Sequence, residues 1–293
     1  MKMKKKSLNF KNFSAISKFV KSFKLKDFNN EKKVRNYFKF FELKTLLSAI
    51  KEDKIKSNTK NHLVAVDKKE IKPFKPDLND LCRLHWLVLA RRAINTLEFG
   101  NGISTLFIAD AKSILANYFK RVPNLRFEKF FHIYSVGESK FYINLTKKRF
   151  NKHLKKHVNF THSKIKIINY DGKYVLKHQK IPNISPDLIY LDGPSLNSVK
   201  NKKFENFRFD KICRVPIASD ILSFEFFLEP GTFIIIDGRS ANAEFLRYHL
   251  KRKWKYFFDQ KSDCHYFLLN EKPWGYLNKA RLNFCLKDKI KFF

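Results

Sequence analysis

The sequence has few of the residues that form disulfides, tight turns or membrane spans. It contains four cysteines among 293 residues, and they are far apart with no C-x-x-C pair. Neither a disulfide framework nor a zinc site is therefore expected, and a reducing cytoplasm fits the composition. No apolar run approaches the ~20 residues of a membrane-spanning helix. Lysines interrupt the apolar residues near the start of the sequence, so we expect no transmembrane segment and no cleaved signal peptide.

Acidic residues are scarce relative to basic ones. There are 61 Lys and Arg against 27 Asp and Glu, which gives a formal net charge of +34. A charge of this size predicts a nucleic acid or an anionic membrane surface as a partner. The alternative is a lysine-rich codon bias, because Lys, Phe, Asn and Ile are abundant together. Lys also outnumbers Arg, which is the better residue for binding phosphate in a fork.

The basic excess is greatest in residues 1–75, which carry 22 Lys and Arg against 7 Asp and Glu. Apolar residues recur there at helical spacing among lysines: Phe10, Phe13, Ile16, Val20 and Phe23. This pattern predicts a basic amphipathic helix, whose apolar face contacts either a membrane surface or acidic partner, or the rest of the protein. We favour packing onto the protein. Pro73 and Pro76 mark the predicted boundary between a basic helical extension, residues 1–75, and a second domain, residues 76–293.

A predicted strand, a tight turn and a helix follow one another in the first half of the sequence. Ile94–Phe99 favours a strand that carries Glu98 near its end. Gly100 and Gly102 then predict a turn, and apolar residues from Leu106 onward recur at helical spacing. Such a corner is typical of nucleotide binding, because glycines let the backbone approach a ligand and the start of the helix presents unpaired N–H groups.

Spacing separates two cofactor classes at this corner. A dinucleotide-binding turn needs a third glycine and an acidic residue ~20 residues further on. Here Thr105 holds the third glycine position, and the next acid at a predicted strand end is Glu138, 36 residues after Gly102. This disfavours NAD. The pattern acid-x-Gly-x-Gly followed by Ser104-Thr105 resembles instead motif I of the class I S-adenosylmethionine-dependent methyltransferases.

Later segments resemble the same family in the same order. Four further predicted strands each end close to an acid: Phe130–Val136 before Gly137-Glu138, Lys164–Tyr170 before Asp171, Asp187–Leu191 before Asp192, and Phe233–Ile236 before Asp237. Two more, Lys255–Phe258 and His265–Leu269, fit an antiparallel pair that closes the sheet. The resemblance spans roughly residues 77–270. It implies a doubly wound, Rossmann-like α/β fold with a seven-stranded, mostly parallel sheet whose last strand is antiparallel.

The resemblance also implies a cofactor site for S-adenosylmethionine. Its methionine part is expected to contact Glu98, Gly100, Gly102, Ser104 and Thr105. Glu138 is the expected ribose ligand, although the family places that acid where Gly137 stands in this sequence. Asp171 lies where the family often holds adenine, although an Asp-Gly turn also explains this residue. Asp192 is expected to border the cofactor.

Asp192 and Asp237 end neighbouring predicted strands and are expected to face the methyl acceptor. They would act there as a general base with a partner, or hold a divalent metal. O-Methyltransferases that use a metal place an Asn directly after the second acid, but Gly238 stands there. Asn242, four residues later, could substitute from the following helix, and it is also an expected contact of the methyl acceptor. A metal is therefore possible at the two acids but unsupported. Arg239 could pair with an acid or clamp an anionic acceptor bidentately.

The predicted function is S-adenosylmethionine-dependent methylation, at oxygen, of a small molecule or glycan. An RNA- or DNA-directed methyltransferase that uses the basic extension is one alternative. The absence of an Asp/Asn-Pro-Pro-aromatic motif disfavours methylation of a nucleobase amine. The other alternative is a non-catalytic binding protein that keeps the fold, which Gly137 in place of the ribose acid would favour. No segment of the sequence indicates a particular oligomeric state.

Overall fold

The structure is a computed structural model that describes residues 13–48, 77–122, 124–125, 127–194, 199, 203–204, 207–208 and 218–287. The α-helices of these residues are α1 Phe13–Lys21, α2 Glu31–Phe40, α3 Lys44–Ser48, α4 Leu78–Ala90, α5 Ile103–Tyr118, α6 Lys140–Arg149, α7 Lys152–Lys155, α8 Asp220–Phe224, α9 Ser240–His249 and α10 Gly275–Cys285. The Asp77 carboxylate begins α4 by accepting a hydrogen bond from the N–H of Asn79 at 2.7 Å, as expected for a residue that caps a helix.

The strands of the described residues are β1 Asn95–Phe99, β2 His132–Gly137, β3 Val158–His162, β4 Ile165–Tyr170, β5 Lys173–His178, β6 Leu188–Leu191, β7 Lys203–Phe204, β8 Phe207–Arg208, β9 Phe233–Asp237, β10 Trp254–Asp259 and β11 Cys264–Leu269. Seven of them form one sheet in the order β10-β11-β9-β6-β1-β2-β3. All neighbours pair in parallel except β11, which is antiparallel to both β9 and β10. The predicted seven-stranded, mostly parallel sheet is confirmed.

The central strands are buried on both faces, as parallel strands covered by helices require. Every residue of β1 and β6 is buried. Alternate side chains of these strands enter two apolar layers. One layer contains residues of α4, α5 and the N-terminal helices, and the other contains residues of α8, α9 and the β4–β5 hairpin. Because β1 lies between β6 and β2, its carboxyl end is where the winding of the sheet changes direction.

The prediction for the third strand is wrong. Lys164–Tyr170 was expected in the central sheet, but β3 (Val158–His162) pairs there with β2, whereas β4 forms a separate hairpin with β5. The turn of that hairpin is Asp171-Gly172, and both residues have positive φ, at 50° and 74°. Asp-Gly between two alternating segments is a strong hairpin signal, because both residues tolerate the left-handed conformation that a two-residue turn requires.

The N-terminal helices pack onto α4, as the favoured interpretation predicted. Ile16, Val20 and Phe23 are buried, and the indole N–H of Trp86 donates to the carbonyl of Val20 at 3.0 Å. The apolar face of α1 is therefore occupied by the protein itself. Phe10 and the predicted boundary at residues 75 and 76 lie outside the described residues, so the division into two domains stays a prediction.

The described cysteines are buried thiols, at positions 82, 264 and 285. No helix in the described part of the chain combines the length and the apolar character that a membrane crossing needs.

Candidate functional site

The candidate site lies at the carboxyl ends of β2, β1, β6 and β9, which we call the crevice. In open parallel sheets, ligands bind outside the carboxyl ends of the strands at the point where the winding reverses. The turn Gly100–Gly102 leaves β1 at this point and leads directly into α5. The site therefore begins with a tight turn and the first residues of a helix, whose free N–H groups favour an anionic or electron-rich ligand.

Glu98 stabilises this turn through hydrogen bonds to the first residues of α5. Its carboxylate accepts hydrogen bonds from the hydroxyls of Ser104 at 2.7 Å and Thr105 at 2.8 Å, and the hydroxyl of Thr105 accepts one from the N–H of Gly102 at 3.1 Å. Burial raises the pKa of Glu98 to about 7, although these hydroxyls oppose the rise. Glu98 and Thr105 are fully buried, so they shape the turn rather than line the crevice. Ser104 is partly exposed.

The turns after β1 and β6 cross in close contact. Gly100 has a φ of +108°, which L side chains rarely adopt, and a Cβ at Gly193 would lie 2.7 Å from the Cα of Gly100. The N–H of Asp192 donates to the carbonyl of Phe99 at 2.9 Å and fixes the crossing. A Cβ at Gly102 would instead meet no atom within 4 Å. Backbone is therefore open to a ligand at Gly102, not at Gly100.

Asn101 occupies the space above Gly137, the last residue of β2. A Cβ at Gly137 would lie 1.9 Å from Nδ2 of Asn101. This nitrogen is buried and has no hydrogen-bond partner among the described residues. Glu138 follows directly and is partly exposed. An unpaired buried donor next to the residue that precedes Glu138 fits a ligand that offers hydroxyl groups, such as a ribose, because a hydroxyl both accepts and donates.

Asp192 and Arg239 connect the ends of β6 and β9. Nη2 of Arg239 donates to the carbonyl of Asp192 at 2.5 Å and lies 3.5 Å from its carboxylate. The surrounding protein raises the pKa of Asp192 by desolvation, and Arg239 opposes this rise. Half of the Asp192 side chain remains exposed to solvent, and this exposure limits the rise of its pKa. The guanidinium of Arg239 thus contacts Asp192 of the protein itself. The sequence suggested that Arg239 clamps an anionic acceptor bidentately, and this role stays a prediction.

Asp237 faces α4 and forms a second acidic group with Asp80. Its carboxylate accepts hydrogen bonds from the hydroxyl of Tyr190 at 3.1 Å and the thiol of Cys264 at 3.3 Å. One ligand atom each of Asp80, Asp237 and Cys264 lies within 4.8 Å of the others. Nη1 of Arg83 contacts Asp80 at 2.5 Å and the sulfur of Cys264 at 3.0 Å. The Arg83 guanidinium therefore already pairs with Asp80, and a metal at Asp192 and Asp237 stays a prediction.

Asp80 is a candidate site residue that the sequence did not predict. Burial and the charge of Asp237 raise the pKa of Asp80 to about 6, while Arg83 opposes the rise. A carboxyl group that titrates close to neutral pH in a crevice is a candidate for proton transfer. Its only sequence signal is its position in the first turn of the helix before the central strand, where acids are common for reasons of helix stability.

No protein-family model matches the sequence, and no curated protein matches it. A comparison with solved structures found matches that cover about two thirds of the chain. They include the SAH-bound methyltransferase PaMTH1 of Podospora anserina, with 10% identity, 67% of this chain and 80% of that chain covered, and a TM-score of 0.42. The O-methyltransferase TomG of Streptomyces achromogenes, involved in tomaymycin synthesis and in complex with SAM, has 13% identity, coverages of 68% and 82%, and a TM-score of 0.37. The O-methyltransferase of Bacillus cereus in complex with SAH has 14% identity, covers 68% of this chain with 84% of its own, and has a TM-score of 0.36.

These similarities are too low to carry an argument about function, so the fold is assigned from the sheet. Its strand order, with five parallel strands followed by the antiparallel β11 and the edge strand β10, is the decisive observation. The chain has the class I methyltransferase fold. The crevice described above is the edge of this fold where the first and fourth strands of the sheet, β1 and β6, end side by side.

Two residues predicted for the site have surroundings in the class I methyltransferase fold that the sequence did not indicate. Asp171 is in the turn of the β4–β5 hairpin with 79% of its side chain exposed, where it pairs with Lys173 at 3.4 Å. It does not end a strand of the central sheet, so the reason for assigning it to adenine is lost. Asn242 is buried in the first turn of α9, and neither atom of its amide has a hydrogen-bond partner among the described residues. It therefore makes no bond to Asp192 or Asp237, and its roles in substrate binding and as a substitute metal ligand stay predictions.

Proposed function

We propose that the protein is an S-adenosylmethionine-dependent O-methyltransferase that acts on a small molecule or glycan. The observation that carries this proposal is the open turn at Gly102. It lies at the switch point of the sheet, between the buried acid Glu98 and the start of α5. A turn at this place brings backbone N–H groups to a nucleoside-containing ligand without obstruction by a side chain.

The residues around the turn fit an adenosyl ligand. Gly102 and Ser104 would contact its amino-acid part, while the buried Glu98 keeps their positions. The free Nδ2 of Asn101 would donate to a ribose hydroxyl, and the carboxylate of Glu138 would accept from one. S-Adenosylmethionine, when bound, would supply a methyl group on a positively charged sulfur.

The acceptor side of the crevice supplies acids that can remove a proton. Methylation of a hydroxyl would form an oxygen–carbon bond, break the sulfur–methyl bond with S-adenosylhomocysteine as the leaving group, and release the hydroxyl proton, which the Asp80 carboxylate would take. Burial and the charge of Asp237 raise the pKa of Asp80 to about 6, so near neutral pH its carboxylate is ionised and is a stronger base than an ordinary aspartate. The Tyr190 hydroxyl orients Asp237. Asp192, held by Arg239, would position the acceptor between Asp80 and the cofactor.

One observation favours the non-catalytic alternative. Gly137 lacks the carboxylate expected at the end of β2, and Asn101 fills its place. If the free amide of Asn101 does not replace the missing acid, the fold would remain while the adenosyl ligand would not bind. The two functions therefore differ in one measurable property, which is affinity for an adenosyl ligand.

Thermal unfolding of the full chain, with and without ligand, tests the proposed function. A ligand that binds only the folded state raises the midpoint in a concentration-dependent manner. We expect such a rise with S-adenosylhomocysteine and none with NAD at the same concentration. No rise with S-adenosylhomocysteine would support the non-catalytic alternative, and a rise with NAD alone would overturn the choice of cofactor.

A further inference from the structure

Five large apolar or aromatic side chains are exposed near the amino end of β9, on the edge opposite the crevice. They are Phe226 (72% exposed), Phe227 (77%), Trp274 (47%), Tyr276 (67%) and Leu277 (55%). We call this group the aromatic patch. Single exposed apolar residues are ordinary, but a group of large ones in adjacent segments marks a surface that binds a partner or a membrane.

The two segments of the aromatic patch are joined by Arg252. Its Nη1 donates to the carbonyls of Glu225 at 3.1 Å and of Leu228, so it brackets the Phe226-Phe227 turn. Its Nη2 lies 2.5 Å from the carboxylate of Glu271, and its guanidinium lies 4.4 Å from the ring centroid of Trp274. The phenyl groups and the indole therefore belong to one surface.

The start of α10 is fixed in the same way. The N–H of Trp274 donates to Oδ1 of Asn278 at 3.0 Å, and Nδ2 of Asn278 donates to the carboxylate of Glu229 at 2.9 Å. Asn278 is buried. This end of the aromatic patch is therefore tied to the turn that enters β9, and it presents Tyr276 and Leu277 to solvent from a rigid support.

The exposed charges around the aromatic patch are positive. Exposed lysines lie in or beside its segments: Lys251, Lys253, Lys272 and Lys279. The nearby acids are neutralised within the protein. Glu271 pairs with Arg252, Glu229 pairs with Arg281 at 3.0 Å, and the buried Glu225 accepts backbone hydrogen bonds. The aromatic patch thus combines large apolar side chains with uncompensated lysines.

We propose that the aromatic patch binds the surface of an anionic lipid bilayer. Aromatic side chains insert favourably at the level of the lipid headgroups, and each lysine near an anionic surface adds attraction. The exposed cations are lysines, whereas Arg252 is engaged internally, which is unfavourable for forked recognition of nucleic-acid phosphates. The surface lies at the opposite end of β9 from Asp237, so the crevice stays open to solvent when the patch is bound.

Vesicle flotation of the full chain tests this proposal. We expect the protein to float with vesicles of phosphatidylcholine and phosphatidylserine but not with phosphatidylcholine alone, and the Trp274 emission to shift to shorter wavelength. The double variant Phe226→Ser/Phe227→Ser should bind about tenfold more weakly, because two large apolar groups no longer leave water. Phe141→Ser, at an exposed position on α6, is the matched control and should bind as the wild type does.

Charge reversal provides a second comparison. Lys272→Glu/Lys279→Glu should weaken binding, whereas Lys164→Glu/Lys166→Glu, at exposed positions beside and in β4, should not. No flotation, or equal loss from both lysine pairs with no effect of the phenylalanine variant, would overturn the proposal. So would tight binding of an RNA oligonucleotide that depends on Phe226 and Phe227, or a dimer that these substitutions dissociate. Thermal unfolding confirms that each variant is folded.

Discussion

The carboxamide of Asn101 occupies the position that a side chain at Gly137 would need. A Cβ at Gly137 would lie 1.9 Å from Nδ2 of Asn101, although Gly137 does not have a positive φ. The glycine is therefore required by contact and not by backbone conformation. The loop after β1 thus supplies, at the end of β2, the polar group that β2 itself lacks.

Gly137→Ala should lower both the stability of the protein and its affinity for an adenosyl ligand. The new methyl group displaces the buried amide of Asn101, and such overpacking costs about 1–3 kcal/mol of unfolding free energy. Adding Asn101→Gly to Gly137→Ala should restore stability but not affinity. Chemical denaturation of the two single variants and the double variant measures this coupling. Additive effects would contradict the contact between the two residues.

Gly100 and Gly102 should respond differently to alanine. Gly100→Ala should lower the unfolding free energy by about 1–3 kcal/mol, because φ is +108° and the new Cβ would lie 3.1 Å from the N of Gly193. Gly102→Ala should cost less than about 1 kcal/mol, because its φ is extended and its surroundings are open. It should nevertheless weaken S-adenosylhomocysteine binding. Equal affinity of Gly102→Ala and wild type would show that the ligand does not approach this backbone.

Glu98 should make the protein less stable as pH rises from about 4.5 to about 7. Its pKa is 4.5 when unperturbed and about 7 in the fold. The stabilisation is therefore complete below pH 4.5 and is lost as pH rises to the folded value. The loss is at most about 3 kcal/mol for a shift of this size. Glu98→Gln removes the titration, so the stability of the variant relative to wild type should rise over this interval.

Denaturation curves at several pH values measure this difference. His132 and His157, whose pKa values burial lowers to about 4, also titrate in the interval and have the opposite sign. They are present in both proteins, so their effects cancel in the comparison. A stability difference that does not change with pH would rule out the raised pKa of Glu98.

Asp80→Asn should slow methyl transfer by about 10²–10⁴-fold, the usual contribution of a general base. In the wild type, the rate should rise as pH passes through about 6, the pKa of Asp80, because the carboxylate must be ionised to accept a proton. The variant should lose this dependence and retain its affinity for S-adenosylhomocysteine.

Asp77→Asn is the matched control for Asp80→Asn. Asp77 is exposed and lies on the same turn as Asp80, and an asparagine at this position can still cap α4. At pH values well above the pKa of Asp80, the rate of this variant should equal that of the wild type, measured with an acceptor found by screening hydroxylated small molecules and glycans. Its pH profile should keep the rise but at slightly lower pH, because the charge of Asp77 contributes to the raised pKa of Asp80. A rate loss of the same size in both variants would indicate that the helix, and not the Asp80 carboxylate, is responsible.

Local patterns were sufficient to predict most of the central sheet. The β1 turn, the strand that ends at Asp192 and the strand that ends at Asp237 each combine an apolar run with a chain-breaking residue, and these signals do not depend on distant contacts. The third strand failed because Val158–His162 is short and only partly buried, whereas the adjacent hairpin alternates more clearly. Because Lys164–Tyr170 was assigned to the central sheet, Asp171 at its end was predicted to lie in the site.

The remaining site residues depend on contacts between distant segments. Asp80 reaches Asp237 only because α4 packs across the sheet beside β9 and β11, and nothing within the helix sequence reports that register. The substitution of Asn101 for a side chain at position 137 likewise depends on the fit of two turns. Sequence patterns therefore locate the crevice, and tertiary packing decides which polar groups enter it.

Calorimetric titration of the folded protein with S-adenosylhomocysteine is the decisive test of the proposed cofactor site. We expect saturable binding at one site, weakened by Gly102→Ala and by Asn101→Ala. Asp171→Asn should leave binding unchanged, because this residue lies in the turn of the hairpin and asparagine tolerates its positive φ. Absence of binding by the folded wild type would contradict the account and leave a methyltransferase fold that does not hold the methyl donor.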